Sequence, residues 1–218
     1  MEKEFWLERW QSNQIGFHQA DISPALLAYH DQLKVVAGDR VFVPMCGKSL
    51  DMDWLRQQGY RVAGVELSPI AIKDFFAGCQ QQPEVTASGE FDLYRAGDIE
   101  IWCGDFFKLI PEMLAGVKAV FDRASLIALP VELRKRYAAR MAELTDTGTR
   151  VLLVTLEYPE SEMQGPPFSV TEAEVRDLYE NDFGITVLES TDVLAQEPKF
   201  QQRGLTQLFE KVYLLQRK

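Results

Sequence analysis

The stretch Asp39-Arg40-Val41-Phe42-Val43-Pro44-Met45-Cys46-Gly47 is followed by a second apolar run, Arg61-Val62-Ala63-Gly64-Val65-Glu66, that ends in a lone acid. Both runs are short and bounded by glycine or proline, as buried strands are. An acid at the tip of a second strand, about 20 residues after the turn that closes the first, is where nucleotide-binding α/β folds grip a ribose. A carboxylate there accepts hydrogen bonds from two vicinal hydroxyls. The alternative is a surface acid that helps to cap a helix opening at Ser68-Pro69.

Outward from this pair, the hydrophobic period keeps switching. Strands are expected at Arg40 to Pro44, Arg61 to Glu66, Glu100 to Cys103, Ala119 to Asp122 and Arg150 to Glu157. Helical spacing lies between them at Leu50 to Gln58, Ile70 to Gln81, Phe107 to Leu114 and Val131 to Leu144. Such alternation predicts an α/β fold with a mostly parallel sheet covered by helices on both faces. Ile185 to Thr191 and Leu205 to Gln216 are strand-like with no helix expected between them, so they should form an antiparallel hairpin. A parallel sheet closed in this way resembles the seven-stranded, Rossmann-like class I methyltransferase fold more than a dehydrogenase. An amphipathic helix carrying Phe5, Trp6 and Trp10, with Phe17 after it, falls in the first 35 residues. Exposed loops are expected at Gln80 to Gln82 and Ser88 to Gly89, and a stiff one from Pro159 to Pro167.

A length of 218 residues, 46% of them hydrophobic, suits a single domain spanning 1–218. The formal charge of -10 opposes phosphate backbones and anionic headgroups. Arg134, Lys135 and Arg136 form the one basic trio, but Glu132 and Glu143 bracket it, so it reads as a solvated helix face. No nucleic-acid or membrane partner is expected. The cysteines Cys46, Cys79 and Cys103 are odd in number and follow no metal-ligand spacing, which points to reduced thiols and a cytoplasmic protein with no metal. His18 and His30 make no triad spacing with them, which argues against nucleophilic hydrolase chemistry.

The first turn holds one glycine where a dinucleotide fingerprint has three, and Pro44 and Met45 crowd it. It leaves little room for a pyrophosphate and more for an uncharged or cationic nucleoside such as S-adenosylmethionine. Asp105 follows the Ile99 to Gly104 run; its carboxylate or the N–H of Phe106 can read an adenine edge, or Asp105 can cap the next helix. Arg123, ending the fourth strand, can pair with a ligand carboxylate or with Asp122 or Glu157. Trp6 and Trp10 share one helix face, in the core or over a sulfonium, where a cation above an indole gains roughly 0.5 to 2 kcal/mol.

Read together, Arg40 to Ser49, Gly64 to Ser68, Asp122-Arg123-Ala124 and Gly165-Pro166-Pro167-Phe168 closely resemble the thiopurine S-methyltransferase family in its bacterial form. The likeness runs from the Trp10 region to the terminal Leu208 to Leu215. It implies that residues 1–35 are a lid in which Trp10 closes over S-adenosylmethionine, that Met45 lies against that cofactor, and that Glu66 holds its ribose. Asp105 and Phe106 fall at the adenine position. Arg123 matches the fourth-strand arginine, while Phe17, Pro166 and Phe168 resemble the acceptor-side wall. The implied reaction methylates the sulfur of a small aromatic or heterocyclic thiol such as 6-mercaptopurine. Selenium or tellurium compounds are implied as physiological acceptors, and the protein would be a monomer. Two rivals stand beside this reading: an NAD-dependent oxidoreductase, and a non-catalytic cofactor- or metalloid-binding protein that uses its three thiols.

Overall fold

A computed structural model describes residues 3–218. In chain order, α1 (Lys3–Gln11) and α2 (Pro24–Tyr29) precede β1 (Arg40–Val43), α3 (Leu50–Gln57), β2 (Arg61–Glu66) and α4 (Pro69–Gly78). Next come β3 (Glu84–Ser88), β4 (Phe91–Ala96), β5 (Ile99–Cys103), β6 (Val117–Arg123), α5 (Val131–Leu144) and β7 (Arg150–Glu157). The chain ends with α6 (Glu172–Tyr179), β8 (Phe183–Asp192), α7 (Pro198–Gln202) and β9 (Phe209–Arg217). Two compact units share these elements, one running to Phe121 and the other from Asp122 to Lys218.

In the first unit the strands lie in the order β3-β4-β5-β2-β1-β6, with β5, β2, β1 and β6 parallel to one another. Val41 to Val43 and Val62 to Glu66 are buried without alternation, which requires cover on both faces of the sheet. The parallel register aligns the carboxyl ends: Val43 is opposite Gly64, and Glu66 is opposite Cys103. The turn after β1, the acid ending β2 and the Asp105 turn therefore emerge along one edge, the usual place for an α/β ligand site.

In the second unit β9 runs antiparallel between β7 and β8, with Tyr213 opposite both Leu153 and Val187. This is the expected terminal hairpin. It differs in detail, because a 3-10 turn (Leu194–Gln196) and the short α7 separate its strands, and β9 begins at Phe209 rather than Leu205. A five-residue helix is too short to show a helical period. Leu205 and Leu208 instead pack with Tyr158, Met163 and Phe200.

The strand count also departs from seven. Among the described residues there are nine, because β3 and β4 add an antiparallel pair beside β5. Every residue of β3 is exposed, so it lacks the buried apolar run of the inner strands, and the Ser88 to Gly89 segment read as a loop is its end and turn. The helix expected over Phe107 to Leu114 is instead two 3-10 turns, Phe106–Lys108 and Pro111–Leu114. Pro111 lacks an N–H and holds Ile110 extended (ψ 153), which interrupts the helix.

Asp51 anchors the N-terminal segment to α3. Its carboxylate accepts the N–H of Ser23 at 2.8 Å and the hydroxyl of Ser49 at 2.7 Å, and it is 3% exposed. Asp51→Ala leaves the buried Ser23 N–H without its partner. It should lower the unfolding free energy by about 2 kcal/mol, read as a lower urea midpoint at unchanged slope.

Candidate active site

Glu66, at the end of β2, is 7% exposed. Its Oε2 accepts the N–H of Gly47 at 2.9 Å and its Oε1 accepts the N–H of Ser68 at 2.7 Å. Burial raises its pKa, and those N–H donors work against the rise. Helix capping and ligand binding are compatible here. A carboxylate has about four acceptor positions, so the Gly47 and Ser68 N–H groups do not exhaust its capacity.

The turn facing Glu66 is left-handed at Met45 (φ 45) and Gly47 (φ 53). The Cys46 N–H donates to the Val65 carbonyl at 3.0 Å and stitches the turn to β2. A Cβ on Gly47 would lie 3.3 Å from Cζ2 of Trp10, so the buried indole rests on the turn. Phe17 stands edge-on to both tryptophans, 5.6 Å from Trp6 and 5.6 Å from Trp10. The three aromatics read from the sequence thus form one cluster, and α1 lies over the β1 turn.

Asp105 caps the turn that follows it, with Oδ1 accepting the N–H of Phe107 at 3.0 Å. Its Oδ2 pairs with Lys3 at 2.8 Å, a tie to α1 that the sequence did not suggest. Phe106 is 3% exposed and edge-on to Phe107. Burial raises the pKa of all three thiols, and for Cys46 and Cys103 the Glu66 charge adds to it; Cys103 reaches about 11. They are neutral at physiological pH. Among the described residues no group of three or more His, Cys, Asp or Glu is placed to hold a metal.

The second unit carries Arg123 and the Gly165 to Phe168 segment. The Tyr137 hydroxyl donates to Asp122 at 2.7 Å, and Lys211 pairs with Glu157 at 2.8 Å. The Arg123 charge acts on Glu210, where it opposes the pKa rise caused by burial. Pro166 is flanked by two cis bonds, and the Phe168 N–H donates to the Ile127 carbonyl at 2.7 Å. One basic residue was misread. Arg134 is 1% exposed, a core residue of α5, while Lys135 and Arg136 are on the solvated face.

The geometry so far suits a nucleoside that brings vicinal hydroxyls and no phosphate to Glu66. Residues 1–218 match the family described as Thiopurine S-methyltransferase (TPMT). The chain belongs to the thiopurine S-methyltransferase family. It is therefore an S-adenosylmethionine-dependent methyltransferase. It is 49% identical to the thiopurine S-methyltransferase of Nitrosospira multiformis, over 99% of this chain and 98% of that one. It is 48% identical to that of Pseudomonas putida over the full length of both. Among solved structures, the Burkholderia thailandensis 1,6-didemethyltoxoflavin-N1-methyltransferase, bound to 1,6-didemethyltoxoflavin and S-adenosylhomocysteine, has a TM-score of 0.65 at 17% identity. That likeness covers 99% of this chain and 87% of the other. An S-adenosylmethionine-dependent methyltransferase from Anabaena variabilis has a TM-score of 0.66 at 14% identity, over 99% and 95% of the two chains. At such identities the structural likeness shows the fold alone.

The fourth-strand motif of this methyltransferase holds a titratable acid. Asp122 is 1% exposed, and burial raises its pKa from 3.8 to about 6. Between those values the folded chain keeps a proton that the unfolded chain has released. Its stabilising contribution is therefore complete at acid pH and lost as pH rises to about 6. Asp122→Asn, whose amide oxygen still accepts from Tyr137, should abolish that slope. It should also raise stability above pH 6 by at most about 3 kcal/mol. Parallel urea-stability curves for the two proteins between pH 4 and 7 would contradict this.

Proposed function

We propose that this enzyme methylates the sulfur of small aromatic and heterocyclic thiols such as 6-mercaptopurine, with reduced selenium or tellurium compounds as physiological acceptors. It would do so as a monomeric, single-domain cytoplasmic protein. The observation that carries the reading is Glu66, a buried acid that keeps acceptor capacity beneath the turn on which Trp10 rests.

When bound, S-adenosylmethionine would supply an electrophilic methyl group that the acceptor's sulfur bonds to as the methyl–sulfonium bond breaks, its electron pair going to S-adenosylhomocysteine. Glu66 holds the ribose hydroxyls, and Met45 and the Trp10 indole bound the cofactor's body and exclude water. Asp105 with the Phe106 backbone reads the base. Arg123 offers a guanidinium to the carboxylate of the cofactor's amino-acid end or to an anionic acceptor. Phe17, Pro166 and Phe168 present apolar surface to a flat ring. A heteroaromatic thiol ionises near neutral pH, so alignment can do most of the work. Such alignment is worth roughly 7 to 11 kcal/mol. Both rivals lose ground. Family membership disfavours the oxidoreductase, and neutral, unclustered thiols suit metalloid capture poorly.

Transfer of labelled methyl from S-adenosylmethionine should be seen with 6-mercaptopurine and with selenite plus a thiol reductant; no transfer to either would refute the acceptor class. Glu66→Gln should weaken S-adenosylmethionine binding by at least tenfold in calorimetry. An unchanged affinity would show that the ribose lies elsewhere.

A further inference from the structure

Arg134 is the one large side chain of α5 whose position its chemistry does not explain at once. Taking a guanidinium out of water costs several kcal/mol, whereas a leucine or methionine would fill the space more cheaply. A planar fork of donors is what arginine adds. Arg134 uses it on three elements: Nε donates to the Leu129 carbonyl at 2.8 Å, and Nη1 donates to the Ser169 carbonyl at 3.1 Å and to Glu174 Oε2 at 2.5 Å. The guanidinium carbon lies over the Phe168 ring, 5.6 Å from its centroid.

The backbone around Phe168 is already fixed by other groups. Its N–H donates to Ile127, the Tyr158 hydroxyl donates to the Pro167 carbonyl at 2.6 Å, and the Ser169 hydroxyl donates to the Tyr158 carbonyl at 2.8 Å. These bonds leave the ring's own rotation unset. Gly165 bears on it, since a Cβ there would lie 2.3 Å from Cδ1 of Phe168. Arg134 is also placed against the ring, and its three bonds hold the guanidinium plane in one orientation.

We infer that Arg134 is a positioning residue that sets the Phe168 ring and thereby the enzyme's selectivity for flat aromatic acceptors. The inference rests on the reading of Phe168 as an acceptor-side wall. Its test is a double-mutant cycle of Arg134→Lys and Phe168→Ala, read as KM for 6-mercaptopurine, kcat, and S-adenosylmethionine affinity by calorimetry.

Lysine keeps the charge and loses the fork. Each single variant should raise KM for the thiopurine about tenfold, with kcat and cofactor affinity within about twofold of the parent. The double variant should be no worse than Phe168→Ala alone, because residues acting through one contact are not additive. Additive effects, or a loss spread equally over KM, kcat and cofactor affinity, would overturn the inference. Should Phe168→Ala leave KM unchanged, the acceptor-wall reading falls and this inference with it. A shift in Phe168→Ala with none in Arg134→Lys removes the inference alone. If Arg134→Lys does not fold, Glu174→Gln releases one arm of the fork and should raise the same KM about threefold; an unchanged KM there is equally decisive against it.

Discussion

A carboxylate cannot stay buried and charged unless its oxygens are met by donors, and Glu66 imposes that condition on everything around it. The two donors come from opposite sides, one from the turn after β1 and one from the start of α4. Satisfying the acid therefore fixes the distance between two loops that a parallel sheet would otherwise only bring near each other. The left-handed backbone at Met45 and Gly47 points an N–H at the acid, and the missing side chain at Gly47 lets Trp10 close down on the turn. Ligand recognition and local folding share one residue.

The second unit solves a similar problem twice. Asp122 is buried, and the hydroxyls of Tyr137 and Ser125 that favour its charge are outweighed by that burial, so its pKa stays raised. Arg134 is buried with three acceptors, two of them main-chain carbonyls. The difference decides what each can do: the acid can change protonation state within an ordinary pH range, whereas the arginine stays charged and serves as a rigid bracket.

What was legible in the sequence followed the strength of its periodicity. The runs that became β1, β2, β5, β6 and β7 are short and mostly apolar, because most of their residues are buried in the sheet. The exposed, polar β3 had no such signature, and Pro111 broke a helix whose apolar spacing survived in two separate turns. Glu66 announced itself by position at the end of a buried strand. Lys3 and Glu210 did not, because each meets its partner only through the tertiary fold. Arg134 was hidden by its neighbours: Lys135 and Arg136 are solvated, and a helix turns by about 100° per residue, so three adjacent cations cannot share one environment.

The outer strand β3 closes one side of its sheet, where a strand exposes a row of backbone donors and acceptors to any passing chain. Its one large apolar side chain is Val85, at 54% exposure. Glu84 begins the strand, on a molecule that carries a net charge of -10. Two copies approaching edge to edge thus meet repulsion before they meet hydrogen-bonding partners. The colloidal behaviour of this protein is governed by screening, so ionic strength is the variable that decides how concentrated a stock can become before its molecules begin to stick.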